Sequence, residues 1–185
     1  MARTKYIASG GLAFDEEKDM EKLGELAQEG WLFDKFYFLG YKLKKSSPQD
    51  LQYAIDYRKG ADQDYFAYFE EAGWKHEGSS GDYIHLFSAP KGVAPIYTDK
   101  PSILEKYENE KKSMGKAALI TLLINICIVV AYNFVASLEI FNSNELIIKS
   151  LFALLQLVGV ICLVFTGLPY LGYMYKVSKW RRSGL

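Results

Sequence analysis

The sequence predicts an α+β domain, a ferredoxin-like antiparallel sandwich, followed by two transmembrane α-helices. Two stretches without a charged residue, 117–138 and 151–175, are each long enough to cross a bilayer, because about 20 apolar residues in a helix span its hydrocarbon core. A pattern of helix, glycine, tryptophan and strand occurs twice, at Gly30 and again 43 positions later at Gly73. Alternating apolar and polar residues around both copies predict half-buried strands.

The first copy of the pattern begins with a strand at residues 5–9 and a helix that starts near Asp15. Acidic residues at this start are favourable because a helix N-terminus carries partial positive charge. Apolar residues recur on one face of the helix, and the glycine that follows suits a left-handed C-cap. Alternation then predicts strands at residues 37–44 and 51–58, joined by a turn at residues 46–50.

The second copy has a helix that starts near Asp62 or Asp64 and again ends at a glycine. A turn at residues 78–82 leads into a strand at residues 83–88. The order is therefore strand, helix and hairpin, twice over. Two such β-α-β halves predict helices on one face of an antiparallel sheet, within residues 1–90.

The remainder of the chain divides into five segments. Ser102 and Glu105 match a capping box, which predicts the start of a stalk helix that runs toward the first span. We expect a connector and stalk helix at 91–116, a first transmembrane helix at 117–138, a short extracytoplasmic loop at 139–150, a second transmembrane helix at 151–175 and a basic cytoplasmic tail at 176–185.

Charge differs between the two halves of the chain. Residues 1–116 hold 17 Lys/Arg and 20 Asp/Glu, whereas residues 117–185 hold 5 and 2. Lys and Arg residues precede the first span and follow the second, and only Lys149 stands between the two spans. The positive-inside rule therefore places both termini in the cytoplasm. Residues 1–5 contain no apolar run that would act as a signal peptide. We therefore expect a multi-pass membrane protein with a cytoplasmic domain.

Polar residues within the spans predict how the two helices pack. In an antiparallel hairpin, Asn133 and Gln156 are expected at one depth and Asn125 and Thr166 at another, because polar side chains in hydrocarbon seek partners. Both cysteines of the chain also fall inside the spans. The soluble half therefore has no zinc ribbon, redox CxxC pair or cysteine nucleophile.

The soluble half contains no recognisable catalytic constellation, and we expect neither a cofactor nor a metal. His76 and His85 have no third ligand at a recognisable spacing and are expected on the surface or an edge strand. Gly10 and Gly11 would suit a phosphate at a helix N-terminus, but no Lys-Ser/Thr pair follows, which favours a loop role. This half is slightly acidic and has no basic stripe, which argues against nucleic-acid binding.

Two features of the soluble half suggest binding. Trp31, Trp74 and ten tyrosines could line an aromatic pocket, although the alternation places most of them in a core. Asp56, Arg58 and Lys59 could form an exposed polar patch for a partner, with an ordinary solvent-exposed face as the alternative.

Several short motifs stand in a specific order along the soluble half: Phe14-Asp15-Glu16-Glu17-Lys18-Asp19-Met20, Gly30-Trp31, Ile55-Asp56-Tyr57-Arg58, Ala72-Gly73-Trp74, Ala89-Pro90-Lys91-Gly92 and Pro95-Ile96-Tyr97-Thr98-Asp99. With them, about the first 110 residues resemble a bacterial family known as domain of unknown function 2812. Members are often followed by C-terminal membrane spans, and their genes commonly lie beside PadR-type transcriptional regulators. The resemblance implies a bacterial cell membrane and a protein partner linked to such a regulator, but no established activity.

The sequence leaves three functions open. The first is a non-enzymatic membrane-anchored protein with a cytoplasmic sensory or partner-binding domain, in signalling or envelope-stress response. The second is a small membrane-protection or immunity factor in which the spans act. The third is an enzyme or small-ligand binder that uses an aromatic pocket. The lipid bilayer is a partner in each case, and a homo-oligomer stays open because two spans alone are too few to form a transport path.

Overall fold

The computed structural model describes residues 3–182, except for the side chains of residues 139–144. It shows a mixed α/β protein with two small antiparallel sheets and two long apolar C-terminal helices. The chain forms two compact units, unit 1 up to Lys106 and unit 2 from Tyr107 onward. The elements in chain order are β1 (Thr4–Ala8), α1 (Leu12–Gln28), β2 (Trp31–Tyr37), β3 (Gly40–Lys45), β4 (Leu51–Tyr57), α2 (Gln63–Glu71), β5 (Lys75–Ser80), β6 (Ile84–Pro90), α3 (Lys100–Ala136) and α4 (Glu139–Arg182).

The two sheets of unit 1 have the same topology. One has the strand order β1-β3-β2 and the other β4-β6-β5, and all neighbours are antiparallel. The central strand of each sheet is the last of its three strands in the sequence, β3 in the first sheet and β6 in the second. The two outer strands are the ones that come directly before and after the helix, α1 or α2. Unit 1 therefore consists of two βαββ copies, which confirms the order of elements that the sequence predicts.

The first predicted hairpin is wrong. Residues 37–44 and 51–58 do not pair with each other, because β3 pairs with β1 and β2 whereas β4 pairs with β6 in the other sheet. The chain instead reverses between β2 and β3 at Phe38 and Leu39. Phe38 and Leu39 are apolar and give no turn signal in the sequence. Residues 46–50 do give such a signal, but they connect the two sheets.

One core joins the two sheets, and α1 packs against it. Gly24 allows α1 to approach β4 closely, since a Cβ at this position would lie 2.9 Å from the carbonyl oxygen of Leu51. Burial of each large apolar side chain contributes about 1.5–3 kcal/mol. The main cluster comprises Ile7, Met20, Leu23, Leu26, Ala27, Phe33, Tyr41, Leu43, Tyr53, Ile55 and Leu86, and a smaller cluster that includes a residue of α2 comprises Phe69, Trp74, Phe87 and Ala89.

The ends of α1 and α2 largely follow their sequence signals. Gly30 and Gly73 adopt left-handed conformations, with φ of 78° and 85°, directly after the two helices, which confirms the predicted C-caps. Asp62 caps α2 by accepting a hydrogen bond of 2.9 Å from the backbone N–H three residues later. Helix α1 begins at Leu12, earlier than predicted, and Asp15 has non-helical dihedral angles within it.

Helix α3 begins at Lys100 and is capped by Asp99. The Asp99 carboxylate accepts hydrogen bonds from the backbone N–H of Ser102, at 3.1 Å, and from its hydroxyl, at 2.7 Å. The capping box predicted at Ser102 and Glu105 is therefore wrong, because the cap lies three residues earlier. The helix continues without interruption to Ala136 and so includes both the predicted stalk and most of the predicted first span.

In unit 2, only residues 137–138 separate α3 from α4. The backbone of residues 139–150, predicted as a loop, is helical, and its position outside the cytoplasm stays a prediction. An ion pair between Glu145 and Lys149, one turn apart, favours the helical conformation. By length and composition, α3 and the part of α4 at Glu145–Arg182 are apolar enough to cross a membrane.

We expect residues 1–112 to fold alone, and Trp74→Ala in this fragment to lower the free energy of unfolding by about 3–5 kcal/mol. The Trp74 side chain is only 3% exposed, and its indole N–H donates a 2.9 Å hydrogen bond to the carbonyl of Ala94. Trp31→Ala is the matched control, because Trp31 is half-buried beneath Lys5 and Lys45 and should cost about 1–2 kcal/mol. Urea unfolding followed by circular dichroism measures both, and equal losses would contradict the assignment of Trp74 to the core.

Candidate functional site

A cleft of about 570 Å³ opens in unit 1 where the N-terminus of α1 meets the turn between β2 and β3. Its volume lies in the range of small-molecule sites, which are commonly about 300–1,000 Å³ and lined mainly by apolar and aromatic side chains. We call it the aromatic cleft. Its lining residues are Ser9, Gly10, Gly11, Leu12, Phe14, Phe36, Tyr37, Phe38, Leu39, Gly40, Tyr41, Ser80 and Ile84.

The turn that forms one wall of the cleft is apolar, exposed and strained. Phe38 and Leu39 are 80% and 65% exposed, and Leu39 has a φ of 53°, in the left-handed region that leucine rarely adopts. Glycine, asparagine or aspartate would normally occupy a two-residue hairpin turn. The Tyr6 hydroxyl holds the turn by donating a 2.8 Å hydrogen bond to the carbonyl of Phe38. Local strain combined with exposed apolar surface marks this turn as a functional candidate.

Behind the cleft lies the buried carboxylate of Asp19. It accepts hydrogen bonds from the backbone N–H of Gly10 at 3.0 Å, from the Tyr41 hydroxyl at 3.0 Å and from the Ser9 hydroxyl. These three donors all line the cleft. Burial, and then the nearby Asp19 charge, raise the pKa of Tyr41 well above its usual range, so its hydroxyl stays a donor.

The glycine pair at the cleft does not present free backbone donors. The N–H of Gly10 is bonded to Asp19, and the N–H of Gly11 donates a 3.0 Å hydrogen bond to the Ser9 hydroxyl oxygen. A phosphate at this point would have to displace both bonds and approach a buried carboxylate. The loop role that the sequence favoured for Gly10 and Gly11 therefore fits the geometry better than a phosphate cradle.

A second buried charged cluster connects α1 with the start of α3. The Lys106 ammonium lies 2.5 Å from the Glu16 carboxylate, and both side chains are only 7% exposed. Lys106 also donates to the carbonyl of Ile55 at 2.7 Å and lies over the rings of Tyr57 and Tyr97, 5.2 Å and 5.0 Å from their centroids. A buried pair of this kind is costly to break, because removal of one partner leaves the other charge uncompensated.

The structure does not bring the three predicted partner-surface residues together as one exposed patch. Arg58 and Lys59 are exposed, but Asp56 is half-buried and accepts hydrogen bonds from the Tyr65 hydroxyl, at 2.7 Å, and from the Tyr97 hydroxyl. Burial is the first cause that raises the pKa of both tyrosines, and Asp56 adds to it. A partner surface at Arg58 and Lys59 stays a prediction, whereas Asp56 has an internal role.

The two histidines lie together; His76 is on the edge strand β5, as the sequence predicts, but His85 is not. His85 is buried on the central strand β6, and its Nδ1 is 2.7 Å from the Ser79 hydroxyl, which is 3.0 Å from Nε2 of His76. Nε2 of His85 lies 2.8 Å from the carbonyl oxygen of Arg58 and donates a hydrogen bond to it, because a carbonyl can only accept. Burial, and then His85, lower the pKa of His76. Among the described residues no group of three His, Cys, Asp or Glu side chains is placed to hold a metal ion.

In unit 2 the predicted polar residues contact each other in a different register. The Gln156 amide donates a 3.0 Å hydrogen bond to Asn125, and Thr166 lies 3.1 Å from Thr121. Asn133 instead donates to a carbonyl of its own helix. The predicted pairs of Asn133 with Gln156 and of Asn125 with Thr166 are therefore wrong, because the short turn between α3 and α4 shifts the facing positions by about two helical turns.

The sequence suggests an aromatic pocket of tryptophans and tyrosines but does not locate the cleft, which only Tyr37 and Tyr41 of that set line. The strand pattern at residues 37–44 includes Phe38 and Leu39, and the hydrogen bonds of Asp19 depend on contacts between residues distant in sequence. A signal was present in the sequence, since Phe38-Leu39 stands directly before Gly40. A Cβ at Gly40 would lie 2.2 Å from the carbonyl oxygen of Ile7, so glycine is required where β3 begins against β1.

Comparison with known proteins agrees with the resemblance seen in the sequence. The family model described as protein of unknown function (DUF2812) matches residues 15–119, which is more than half of the chain. The match begins in the first turns of α1 and ends within α3. No curated protein and no solved structure matches the chain.

We expect Gly159→Ala to destabilise the packing of α3 against α4. A Cβ at Gly159 would lie 2.6 Å from the side-chain oxygen of Asn125, and such overpacking commonly costs about 1–3 kcal/mol. Gly167→Ala on the same helix is the matched control, because no atom lies within 4 Å of its added Cβ. Thermal unfolding of the full chain in detergent should show a lower midpoint for the first variant only. Equal midpoints for the two variants would contradict this packing.

Proposed function

The chain belongs to the DUF2812 family of unknown function, and on that premise we propose that it is a non-enzymatic sensory protein of the bacterial cell membrane. In this proposal unit 1 binds a small ligand in the aromatic cleft, and unit 2 anchors the protein in the bilayer. The ferredoxin-like assignment of unit 1 stays part of the same proposal, but its strands form two three-stranded antiparallel sheets and not the single sheet that the sequence predicts.

The observation that carries the proposal is the exposed, strained apolar turn at the cleft. A left-handed leucine costs about 1–2 kcal/mol, and exposure of Phe38 and Leu39 forgoes the gain of burying them. Both features lower the stability of unit 1. An aromatic ligand in the cleft would cover the two side chains, which would explain why an apolar, exposed turn is present here.

A route by which ligand binding would be sensed runs along α1. Phe14 and Leu12 line the cleft, and one turn further on Glu16 holds Lys106 at the start of α3. A ligand that moves the first turn of α1 would therefore change the environment of the buried pair between Glu16 and Lys106. We propose that this pair transmits occupancy of the cleft to α3. This transmission is the regulatory part of the function.

The proposed topology has both termini in the cytoplasm, and the turn at residues 137–138 together with the helical residues 139–150 outside. Its support is the lysine and arginine that flank the two apolar helices. Arg58 and Lys59 stay the proposed surface for a protein partner, one linked to a PadR-type regulator. The alternative of a membrane-protection factor, in which the spans act, would instead depend on the polar contact between Asn125 and Gln156.

The topology is tested by thiol labelling of intact cells. In a chain whose Cys127 and Cys162 are replaced by serine, we expect Ser137→Cys to react with a membrane-impermeant maleimide and Ser47→Cys to stay unlabelled until the cells are lysed. Ser47 lies between β3 and β4 in unit 1 and serves as the internal control. Labelling of Ser47→Cys alone would contradict the proposed topology.

The ligand-binding function is tested with quinoline, a neutral bicyclic aromatic probe. We expect the full chain in nanodiscs of a zwitterionic lipid to bind it, measured by saturation-transfer-difference NMR against empty nanodiscs. Phe38→Ser should weaken binding by about threefold to tenfold, because an aromatic contact adds about 0.5–1.5 kcal/mol beyond its buried area.

Tyr68→Ser is the matched control for this experiment. Tyr68 is an aromatic residue of α2 that is 70% exposed and does not line the cleft. Its replacement should leave quinoline binding unchanged. Absence of binding above empty nanodiscs, or equal losses in the two variants, would refute a ligand site in the aromatic cleft.

A further inference from the structure

We propose that the aromatic cleft selects an organic cation with a flat aromatic body. This inference rests on the proposed function and names the chemical class of its ligand. It follows from three properties of the cleft: a buried carboxylate behind it, the absence of free anion-binding donors in its glycine loop, and aromatic faces that remain exposed around it.

The first property is the uncompensated charge of Asp19. This carboxylate is buried and receives three hydrogen bonds, all from neutral donors. None of the ion pairs in the described part of the chain involves Asp19. A buried charge without a countercharge is costly, so a cation nearby is favoured. Because its donors Ser9, Gly10 and Tyr41 line the cleft, the negative potential of Asp19 extends into the cleft.

The second property concerns the N-terminus of α1, which by itself would favour an anion. A helix N-terminus is equivalent to about half a positive charge. Four carboxylates lie in the first turns of α1, and two of them are paired with Lys18 and Lys106. Of the other two, Glu17 is exposed to solvent, whereas Asp19 is buried, and its full charge exceeds the half charge of the helix. The backbone donors of Gly10 and Gly11 are already engaged.

The third property is the chemistry of the cleft walls. Phe14, Tyr37 and Phe38 are all more than half exposed and present ring surfaces that attract cations. Lys42 and Lys44 alternate with residues that are buried on the core side of the sheet, so they lie on the opposite face from Tyr41. Tyr37 pairs with Gly40 and therefore shares the face of these lysines, which leaves Phe14 and Phe38 as the rings that favour a cation.

The test compares three bicyclic probes of similar size and different charge: 1-methylquinolinium, quinoline and 1-naphthoate. Each is titrated into the full chain in zwitterionic nanodiscs, with empty nanodiscs as the baseline. We expect 1-methylquinolinium to bind about tenfold more tightly than quinoline and 1-naphthoate to bind most weakly. Raised salt should weaken the preference for the cation only partly, because a buried charge is screened less than an exposed one.

Two variants identify the source of the preference. Asp19→Asn removes the charge and should lower the cation-to-neutral affinity ratio severalfold, leaving the part of the preference that the aromatic faces supply. Phe38→Leu keeps an apolar side chain without an aromatic face, so it should weaken 1-methylquinolinium more than quinoline. It also tests the proposal if Asp19→Asn does not fold. Tyr68→Leu, outside the cleft, should change neither affinity.

The outcomes separate this inference from the proposed function. Equal binding of all three probes, or a ratio unchanged in both cleft variants, would overturn the selection of a cation while leaving a ligand site in place. Tighter binding of 1-naphthoate would overturn it as well. Failure of every probe to bind would refute the proposed function itself.

Discussion

The geometry of unit 1 depends on the carboxylate of Asp19. This one side chain joins the loop after β1, the helix α1 and the central strand β3, through Ser9, Gly10 and Tyr41. It fixes how α1 enters the fold, and so where Phe14 stands against the turn between β2 and β3. Hydrogen bonds to a charged acceptor are stronger than neutral ones, commonly about 1.5–3 kcal/mol. The hydrogen bonds of Asp19 that position α1 on the core therefore also shape the cleft.

A second buried carboxylate, Glu16, lies about one turn before Asp19 in α1. Its partner Lys106 brings the first turns of α3 against α1 and β4. A buried pair contributes little net stability compared with apolar residues of similar volume, but its rupture is strongly unfavourable. In the proposed function, such a pair would specify one arrangement where the cleft-lining helix α1 meets α3. Asp19 and Glu16 would then place ligand binding and its transmission on a single helix.

Much of the secondary structure could be predicted from the sequence, because its signals are local. The left-handed glycines Gly30 and Gly73 and the periodicity of the strands indicated two copies of one unit. Strand pairing could not be predicted in the same way, since the turn at Phe38 and Leu39 has none of the usual turn residues. The cleft and the buried pair of Glu16 and Lys106 depend on contacts across as many as 90 positions, for which a single sequence gives no signal. In unit 2, the length of the turn between α3 and α4 determines which polar residues face each other. Hydropathy alone does not define that length.

The most direct measurement of the central claim is the location of a bound aromatic cation on the full chain. In nanodiscs with deuterated lipids, nuclear Overhauser effects between the protons of 1-methylquinolinium and the protein identify the side chains that it contacts. The account predicts effects to the rings of Phe14 and Phe38, with changes in the backbone amide shifts of Ser9 and Gly10. Effects confined to residues of the two apolar helices, such as Tyr132 and Phe152, would contradict it.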